Sequence, residues 1–422
     1  MNYLKLSNCE LENELKILLE KFEEIKKQNF RLDISRGKPS QEQLKLSLKM
    51  LDLDITKDGL DIFNYGILCG IPDARLLMSV ILGCGSEDVI IGGNSSLCLM
   101  SDVISFFFTH GVNNEKWDIN DTKFLAPCPG YDRHFALCEH FGIKMIPIKM
   151  NHDGPDIDEI EKLVSKDESI KGMWCVPKFS NPGGEIYSDC IIERIAKLRP
   201  SSKSFRIFWD NAYSVHELYE KIEIKNIFKE IKKNNNENLV IAFASTSKIT
   251  FSGGGISAIG CKGDNFKSLC KHYSFKTIGF DKINQTRHVK FLTNSAKDIE
   301  ESLRKHMLKH SEILRPKFNL ILEKFKLNFC KNPILSWSKP KGGYFISIKT
   351  FGSAKKIVQL CREAGLVLTQ AGSMFPYNLD PDDSMIRIAP SYPTLEEISK
   401  ATKILILCIK ISAIEKLKNH AS

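Results

Sequence analysis

Short apolar runs alternate with polar, helix-like stretches through the middle of the chain. Each run is five or six residues long, which is the length of a strand buried on both faces. Polar stretches with helical spacing separate most of them, a pattern typical of a parallel sheet covered by helices on both sides. The runs are KFLAP (123–127), IKMIPI (143–148), GMWCVP (172–177), FRIFWD (205–210) and LVIAFA (239–244).

Helical patterns flank these runs on the N-terminal side. Residues 10–29 have helical periodicity, and RLDISRGKPS ends that pattern with Gly37 and Pro39. A helix is predicted near 75–83, before the short apolar run DVIIGG. The glycine turn of GGNSS then opens a further helix, so this region joins the same alternating arrangement.

The pattern changes beyond about residue 295. A long helical stretch over 296–328 leads to KPKGGYFISIKT, which is typical of a strand after a glycine pair. AKKIVQLCREAG predicts a helix that ends at Gly365, SMIRIAPS a strand, and TLEEISKATKILILCIKISAIEKL a C-terminal helix. Strand, helix, strand and helix in this order indicate a second, smaller α/β unit.

Composition narrows the class of protein. A length of 422 residues suggests two domains, and 42% hydrophobic with 26% charged residues is typical of a soluble globular protein. The net charge of +9 comes mostly from lysines interleaved with acids, so we expect no nucleic-acid surface. No run of 18 uncharged apolar residues exists and the N-terminal stretch lacks the apolar core of a signal peptide, so we expect a cytoplasmic protein without membrane contact.

Thirteen cysteines are scattered from Cys9 to Cys408. The closest neighbours along the chain, Cys261 and Cys270, are nine residues apart, so there is no CxxC pair for metal or redox chemistry. This distribution predicts reduced thiols in a cytosolic protein.

Ligands of parallel α/β sheets bind beyond the carboxyl ends of the strands, so the polar residues after each run are candidates for chemistry. Asn94, Ser95 and Ser96 open a helix after a glycine pair, where free N–H groups and the helix dipole suit a phosphate, although such residues also cap ordinary helices. Tyr131 follows KFLAP after a Pro-Gly turn, and Asn181 follows GMWCVP in NPGG. Taken alone, each of these two positions is better explained by an ordinary turn.

Two charged residues end the last two runs. Asp210 ends FRIFWD, where a buried carboxylate needs a cation or strong donors unless it caps a helix. Lys248 follows LVIAFA in ASTSKITFSGGG. Together the strand ends supply a phosphate cradle, an aromatic ring, an amide, an aspartate followed by Tyr213, and a lysine. That set matches the needs of a phosphorylated pyridine aldehyde.

These residues carry a resemblance to a known family. The chain resembles the fold-type I pyridoxal-phosphate (PLP) enzymes of the aminotransferase class I/II superfamily, and among them the aspartate aminotransferase subgroup called type Ic, or MocR-type aminotransferases. A regulator of MocR type would need a winged-helix module, for which the roughly 30 residues before LDISRGKPS are too few. The matching stretches are LDISRGKPS, NYGILCGIPDARLLMS, IIGGNSSLCLM, APCPGYDRHF, VPKFSNPGGEIYSD, WDNAYSVHEL, FASTSKITFSGGG, KPKGGYF and MIRIAPSYP.

The resemblance implies an architecture. We expect an α/β protein of PLP-dependent transferase fold type I, with a mostly parallel seven-stranded sheet between helices in a large domain. A smaller α/β domain would form from both chain ends. The expected division is 1–60 for the N-terminal part of the small domain and an active-site lid, 61–300 for the large PLP-binding domain, and 301–422 for the C-terminal small domain.

The resemblance also implies roles for the residues that hold the cofactor. Lys248 would form the Schiff base with PLP and act as the catalytic proton carrier, while Asp210 would pair with the pyridine nitrogen. Tyr131 would stack on the ring, and Tyr65 would reach the phosphate from the partner subunit of a homodimer. The implied cofactor-binding set is Lys248, Asp210, Tyr213, Asn181, Tyr131, Asn94, Ser95, Ser96, Ser245, Ser247 and Tyr65.

For the substrate, the resemblance implies that Arg387 grips the α-carboxylate, with Asn181 nearby and Gly37 on a lid that closes over it. The implied reaction is a ping-pong transamination of aspartate or glutamate with 2-oxoglutarate as acceptor. Aromatic amino acids, kynurenine or aminoadipate as donors, and a PLP-dependent lyase reaction, remain open alternatives. The cation for a side-chain carboxylate is undetermined among Arg36, Arg75, Arg133, Arg287, Lys38 and Lys178.

Two departures from the wider superfamily stand out. Ile256 occupies the position, eight residues after Lys248, where many relatives have a phosphate-binding arginine, so we expect backbone N–H groups of the glycine-rich turn to replace it. NPGG replaces the more usual NPTG, with Asn181 retained. His306 and His310 have a helical i, i+4 spacing that could bind metal, but no further ligand cluster is visible and we predict no metal site.

Overall fold

The computed structural model describes residues 2–56, 61–293 and 298–421. Residues 57–60 and 294–297, which lie beside the predicted domain boundaries, are outside the described part. The first two residues of the helical stretch predicted over 296–328 are therefore also outside it.

Helices and strands alternate along most of the chain. The α-helices are α1 (Asn8–Lys26), α2 (Gln41–Lys45), α3 (Pro72–Leu82), α4 (Ser96–Thr109), α5 (Asp132–His140), α6 (Ile157–Val164), α7 (Asp189–Ala196), α8 (Ile227–Lys233), α9 (Gly263–Lys276), α10 (Lys282–Thr293), α11 (Ile299–Phe329), α12 (Ala354–Glu363) and α13 (Leu395–Ala421). The strands are β1 (Leu32–Asp33), β2 (Val89–Ile91), β3 (Lys123–Cys128), β4 (Lys144–Asn151), β5 (Gly154–Pro155), β6 (Ile170–Cys175), β7 (Arg206–Asp210), β8 (Val240–Ser245), β9 (Ser257–Cys261), β10 (Leu335–Trp337), β11 (Ile346–Thr350), β12 (Leu366–Val367) and β13 (Met385–Ile388).

The largest sheet has the strand order β2-β9-β8-β7-β6-β3-β4-β5. The pairs from β8 through β4 are parallel, whereas β9 is antiparallel to both of its neighbours. The predicted mostly parallel sheet of seven strands is therefore confirmed, with the two-residue β5 added at one edge. The sequence pattern did not predict β9, because serine, alanine and glycine dilute its apolar character.

The central strands of this sheet are buried on both faces, which explains why they are mostly apolar. Ile207 and Trp209 of β7 belong to the hydrophobic core on one face, whereas Phe208 between them belongs to the core on the other. In β8, Ala242 packs on the first face and Phe243 on the second. The two-residue alternation of a strand thus divides each apolar run between two layers of helices.

Sequence features at the helix ends account for several boundaries. Ser7 and Ser40 form capping boxes at the starts of α1 and α2. Pro72 occupies the first position of α3, where its missing N–H costs nothing, and Gly83 ends the same helix in the left-handed conformation (φ 77°).

The two ends of the chain share a further hydrophobic core. The antiparallel sheet β10-β11-β13 and the parallel pair β1-β12 flank it. Buried residues of α1, such as Leu18 and Phe22, pack in the same cluster as Ile346 and Ile348 of β11 and residues of α13. None of the helices in the described ranges is both long and apolar enough to cross a membrane.

Candidate active site

Four of the predicted site residues follow four neighbouring strands. Lys248, Asp210, Asn181 and Tyr131 lie at or after the carboxyl ends of β8, β7, β6 and β3, which are adjacent in this order in the sheet. Because these strands are parallel, their carboxyl ends meet at one edge of the sheet. The structure therefore brings together residues that are more than 100 positions apart in the sequence.

Asp210 is a buried carboxylate with two hydrogen-bond donors. Its Oδ1 accepts from the backbone N–H of Ala212 (3.0 Å), and its Oδ2 lies 3.1 Å from His134 Nε2. The His134 ring stacks on Trp174 with 4.2 Å between centroids and 8° between planes, so the imidazole is held in place. Asp210 therefore ends its strand in a turn and caps no helix, with its desolvation offset by a charge-assisted contact.

Lys248 lies over an aromatic ring. Its Nζ is 4.8 Å from the centroid of Tyr213, and burial lowers the pKa of the ammonium while the nearby Asp210 opposes that shift. Burial, together with the neighbouring Tyr131 and Asp210, raises the pKa of the Tyr213 phenol well above its usual value. Burial thus shifts Lys248 towards the neutral amine, which is the nucleophilic form.

Two side chains contact the backbone carbonyl group of Lys248. Its carbonyl oxygen accepts a hydrogen bond from the Tyr344 hydroxyl (3.3 Å) and lies 3.4 Å from His216 Nε2. His216, whose orientation the sequence left open, is buried in the segment after β7, and its Nδ1 has no hydrogen-bond partner. Burial and the Lys248 charge hold the pKa of His216 well below its usual value, so this imidazole is neutral near pH 7.

A buried polar network continues from Tyr344 into α11. Gln43 Nε2 donates to the Tyr344 hydroxyl (2.8 Å) and lies 3.1 Å from His310 Nδ1. His310 Nε2 is 3.1 Å from His306 Nε2, which lies 2.8 Å from the carbonyl oxygen of Ile249. The pair with metal-like spacing thus joins the network beneath Lys248, and within the described ranges no three side chains of His, Cys, Asp or Glu converge as metal ligands.

This network predicts a loss of stability in mild acid. Burial lowers the pKa of His310 to about 3, whereas an unfolded imidazole titrates near about 6.5. The unfolded chain therefore binds more protons as the pH falls below about 6.5, and stability decreases from there towards pH of about 3. We expect His310 to account for about 2 kcal/mol of the loss between pH 6.5 and 5.

Unfolding measured at these two pH values checks this expectation. His310→Gln should reduce the difference between the two conditions, whereas His152→Gln, whose side chain is 95% exposed, should leave it unchanged. Equal differences in wild type and His310→Gln would contradict the assignment.

Hydrogen bonds connect the serines at the end of β8 with the residue before the N-cap of α4. Ser245 Oγ donates to Ser247 Oγ (3.1 Å), and Ser247 Oγ donates to the carbonyl oxygen of Asn94 (3.2 Å). Ser95 is the N-cap of the 14-residue α4 and makes no side-chain cap hydrogen bond, and Ser96 begins the helix. The hydroxyl groups of Ser245 and Ser247 thus lie near the residue that precedes the N-cap of α4, and the first N–H groups of that helix are suited to a phosphate.

The glycine-rich turn after Lys248 is held by its own contacts. The N–H of Ile256 donates to Thr246 Oγ1 (2.9 Å), so it is not among the groups left for a phosphate. Asn284 Nδ2 donates to the carbonyl oxygens of Gly254 (3.0 Å) and Gly255 (2.9 Å). The expected replacement of the arginine by backbone N–H groups therefore cannot use the N–H of Ile256 itself.

Arg387 on β13 is buried, with 5% of its surface exposed, and one edge of its guanidinium is occupied. Nη1 donates to Asp132 Oδ1 (2.9 Å) and Asn181 Oδ1 (3.0 Å), and Nη2 is 3.5 Å from Thr369 Oγ1. Its Nε is buried with no hydrogen-bond partner. The Nε–Nη2 edge is thus the side with unused donor capacity, and it has the fork geometry that a carboxylate fits.

An aromatic ring connects Arg387 with Gly37 and with Tyr213. The Phe345 ring lies 4.7 Å from Arg387 Cζ, and its centroid is 6.2 Å from that of Tyr213. A Cβ atom at Gly37 would stand 2.5 Å from Phe345 Cζ, so the backbone there approaches closer than a side chain would permit. The predicted lid residue Gly37 therefore packs against the Phe345 ring, which also contacts Arg387.

Comparison with known proteins assigns the family. The profile of the family described as aspartate amino-transferase matches residues 6–421. The chain belongs to this family. It is an aminotransferase.

Close relatives agree with that assignment. An aspartate aminotransferase of Corynebacterium glutamicum is 40% identical, with 94% of this chain and 93% of that protein covered. The crystal structure of an aspartate transaminase from the same organism superimposes with a TM-score of 0.93 at 37% identity, covering 99% of both chains. The α-aminoadipate aminotransferase LysN of Thermus thermophilus, complexed with N-(5'-phosphopyridoxyl)-L-leucine, shares the fold with a TM-score of 0.74 at 18% identity over 92% of this chain and 93% of that one.

Tyr65 is a predicted cofactor residue that lies on the surface of this chain. Its side chain is 83% exposed and that of Phe63 is 67% exposed. The backbone of the segment is nevertheless fixed, because Lys282 Nζ donates to the carbonyl oxygens of Asp61 (2.5 Å) and Tyr65 (3.3 Å).

The cationic residues that could bind a substrate side-chain carboxylate in this aminotransferase differ in whether they already have partners. Lys178 pairs with Glu217 (2.5 Å) and donates to the Ser214 carbonyl oxygen, and Arg75 donates to the carbonyl oxygens of Val89 and Glu87. Both are thereby committed to other partners. Of the rest, Arg36, Lys38 and Arg133 are exposed and Arg287 is half-buried.

Sequence reasoning did not single out several residues of the site. His134 stands three positions after Tyr131 at the start of α5, and that helical spacing next to a strand end is a signal that could have found it. Arg387 is contacted by three residues from separate segments, namely Asp132, Thr369 and Phe345. No local sequence pattern predicts such contacts.

Proposed function

We propose that this aminotransferase uses PLP to interconvert an L-amino acid, aspartate or glutamate, and its 2-oxo acid, with 2-oxoglutarate as acceptor, in a ping-pong cycle. The proposal rests on the positions of the Lys248 amine and the Arg387 guanidinium relative to the neighbouring rings of Tyr213 and Phe345. Lys248 Nζ lies over Tyr213, and Arg387 lies over the neighbouring Phe345. An amine that can react with a carbonyl and a fork that can bind a carboxylate therefore face one region.

The donor set fits PLP. Aminotransferases of this fold use this cofactor. A phosphate would meet the uncapped N-terminus of α4 and the hydroxyl groups of Ser245 and Ser247. Asp210, buried and already held by His134, is suited to a protonated pyridine nitrogen. When bound, PLP would supply an electron-withdrawing ring that stabilises negative charge on the substrate α-carbon.

The remaining cofactor roles follow from the other strand ends. Tyr131, half-buried beside His134, would stack on the ring, and burial raises the pKa of its phenol to about 12, which keeps it uncharged. Asn181 and Tyr213 would donate hydrogen bonds to the ring oxygen. Because Asn181 Oδ1 already accepts from Arg387, its amide Nδ2 is the group that would face the cofactor.

Lys248 would hold the cofactor through Nζ and would then move the proton. As a neutral amine, Nζ accepts the proton from the substrate α-carbon. Its lowered pKa favours that form, and the hydrogen bonds from Tyr344 and His216 to its carbonyl oxygen fix the backbone from which it swings.

Arg387 would bind the substrate α-carboxylate through Nε and Nη2, while Asp132 and Asn181 keep Nη1 occupied. Gly37, packed against Phe345, would close over the same carboxylate as part of the lid segment. Water would thereby be excluded from the reacting amine, which strengthens the charged contacts.

A dicarboxylate donor requires a second cation. Arg36 and Lys38 of the lid segment and Arg133 beside Tyr131 are the exposed candidates, and we propose that one of them binds the side-chain carboxylate.

An absorbance spectrum followed by half-reactions tests the proposed function. Purified protein with PLP should show a visible band of the bound cofactor, and adding aspartate or glutamate without an acceptor should shift that band and release one equivalent of 2-oxo acid. A shift only with aromatic amino acids, kynurenine or aminoadipate would replace the proposed donor. Continued turnover without an acceptor would identify a lyase, and the absence of any band would overturn the cofactor.

We further propose a homodimer in which Tyr65 reaches the phosphate bound by the partner subunit. The exposed Tyr65 and Phe63 on a fixed backbone support it, since exposed aromatic side chains are typical of interfaces. The division at about residues 60 and 300 belongs to the same proposal, with the N-terminal and C-terminal segments sharing one core. Sedimentation of the PLP-loaded protein at a mass near 96 kDa, about twice the 47.9 kDa of one chain, would support the dimer; a monomer would contradict it.

His134→Phe should lower kcat by about tenfold to a hundredfold, because a hydrogen bond to a charged group is worth about 1.5–3 kcal/mol. Phenylalanine keeps the stacking on Trp174 and removes the contact with Asp210 Oδ2. Kinetics and the pH dependence of the cofactor band measure the effect, and His140→Phe on the exposed face of α5 serves as the matched control. An unchanged kcat and band would show that the His134 contact does not tune Asp210.

A further inference from the structure

Two cysteines that are far apart in the sequence meet in the fold. Cys69 lies in the segment after Tyr65, and Cys270 lies on α9, 201 positions later, with their sulfur atoms 3.2 Å apart. Both side chains are half-buried. A CxxC spacing is absent from the sequence, so the fold supplies a proximity that the linear pattern did not predict.

We propose that Cys69 and Cys270 form an oxidation site that closes to a disulfide with hydrogen peroxide and reopens with a thiol. The Cys69 thiolate attacks the peroxide O–O bond, which gives a sulfenic acid and hydroxide. The Cys270 thiol then attacks the sulfenic sulfur and releases water, so the two thiols lose two electrons and two protons while one peroxide becomes two waters. A dithiol reverses the bond by exchange.

Electrostatics favours Cys69 as the attacking sulfur. The Cys270 S–H donates to it and Arg75 lies nearby, and together these groups lower the pKa of Cys69 to about 7. The same contact raises the pKa of Cys270, so that thiol keeps its proton until the second step. Since the thiolate is the nucleophile, Cys69 is the sulfur of this pair that should react first at neutral pH.

The backbone around Cys69 favours closure by a small movement of side chains. Its carbonyl oxygen accepts from the N–H of Ile91 (3.0 Å), and a Cβ at the following Gly70 would stand 2.3 Å from Ile91 Cγ1. This side of the pair is therefore fixed. The sulfur atoms need to approach by about 1 Å to reach the bond length of about 2.05 Å.

A second cysteine pair provides an internal control. Cys361 of α12 and Cys408 of α13 also contact each other through their side chains, but both are fully buried and burial raises the pKa of Cys361 well above its usual value. Peroxide has no access to this pair, so it should stay reduced.

Mass spectrometry of the full-length, PLP-loaded protein tests the proposal. After reduction, brief treatment with one equivalent of hydrogen peroxide should yield a linked pair of peptides containing Cys69 and Cys270, and dithiothreitol should separate them. Thiol titration in denaturant should find two fewer than the thirteen thiols of the reduced chain. C361S should behave as wild type.

C270S separates the two steps. Without the resolving thiol, the sulfenic acid at Cys69 should persist and be trapped by dimedone, and no linked peptide should form. Equal thermal unfolding of reduced wild type and C270S confirms that the variant folds. The proposal is overturned if the exposed Cys9, Cys98, Cys190 or Cys330 are oxidised while Cys69 and Cys270 remain thiols, or if the Cys361–Cys408 pair is linked as readily.

Discussion

Replacing Lys248 with alanine should lower the rate of transamination by about 10⁴-fold or more and abolish the visible band of bound PLP. Proton transfer by a positioned side chain contributes about 10²–10⁴-fold, and the same Nζ is proposed to be the covalent anchor, so both contributions are lost together. Steady-state rates with the donor chosen by the half-reaction screen, and spectra of protein incubated with PLP, measure the two losses.

Lys248→Arg distinguishes chemistry from charge at this position. A guanidinium keeps the positive charge near Asp210, but its pKa above about 12 leaves no neutral nitrogen to bind an aldehyde or accept a proton. We therefore expect Lys248→Arg to be as inactive as Lys248→Ala. Lys229→Ala, which alters an exposed lysine of α8, should retain both band and rate. Activity within tenfold of wild type in either Lys248 variant would exclude the proposed role.

Replacing Arg387 with lysine should reduce kcat/KM for amino acid substrates by about 10²–10³-fold. Arg387 is buried among Asp132, Asn181 and Thr369, and the unused donors of its Nε–Nη2 edge would be lost although a positive charge remains. Removing one partner of a buried, hydrogen-bonded charge pair costs about 2–5 kcal/mol, which corresponds to factors of this size.

A comparison of two amines assigns that loss to the carboxylate. The rate with an amino acid should fall in Arg387→Lys, whereas the slow reaction of the matching amine without a carboxyl group should change little. Arg75→Lys is the control, because Arg75 also donates to fixed oxygens but lies outside the site. An equal loss for both amines would indicate that Arg387 supports the fold around Asn181 and does not bind the carboxylate.

Much of the main sheet was predictable because its strands are buried on both faces. The five apolar runs correspond to β3, β4, β6, β7 and β8. Because these strands are parallel, the polar residues that follow them could be expected at the same end of the sheet. The strand β9 was missed, since Ser257, Ala258 and Gly260 carry little apolar surface and strand position there depends on pairing with β2 and β8.

The contacts of the site were predictable only in part. Lys248, Asp210, Asn181 and Tyr131 follow apolar runs, so their convergence could be expected from topology. The partners of Arg387 come from α5, from the turn after β6 and from the segment after β12, and the sequence contains no local pattern that relates them. The engagement of Lys178 by Glu217 likewise removed a candidate cation that the sequence had left open.

The order of apolar and polar residues specifies most of this aminotransferase's buried parallel strands and the chemistry at their ends, because those depend on near neighbours and on the period of the backbone. Long-range packing specifies which atoms of the site are already occupied and which remain free. It leaves Nε of Arg387 without a partner, places His134 next to Asp210 and two imidazoles in the network around the backbone of Lys248, and brings Cys69 to Cys270. Contacts between residues about 200 positions apart depend on how whole helices and strands pack. Local sequence spacing does not determine that packing.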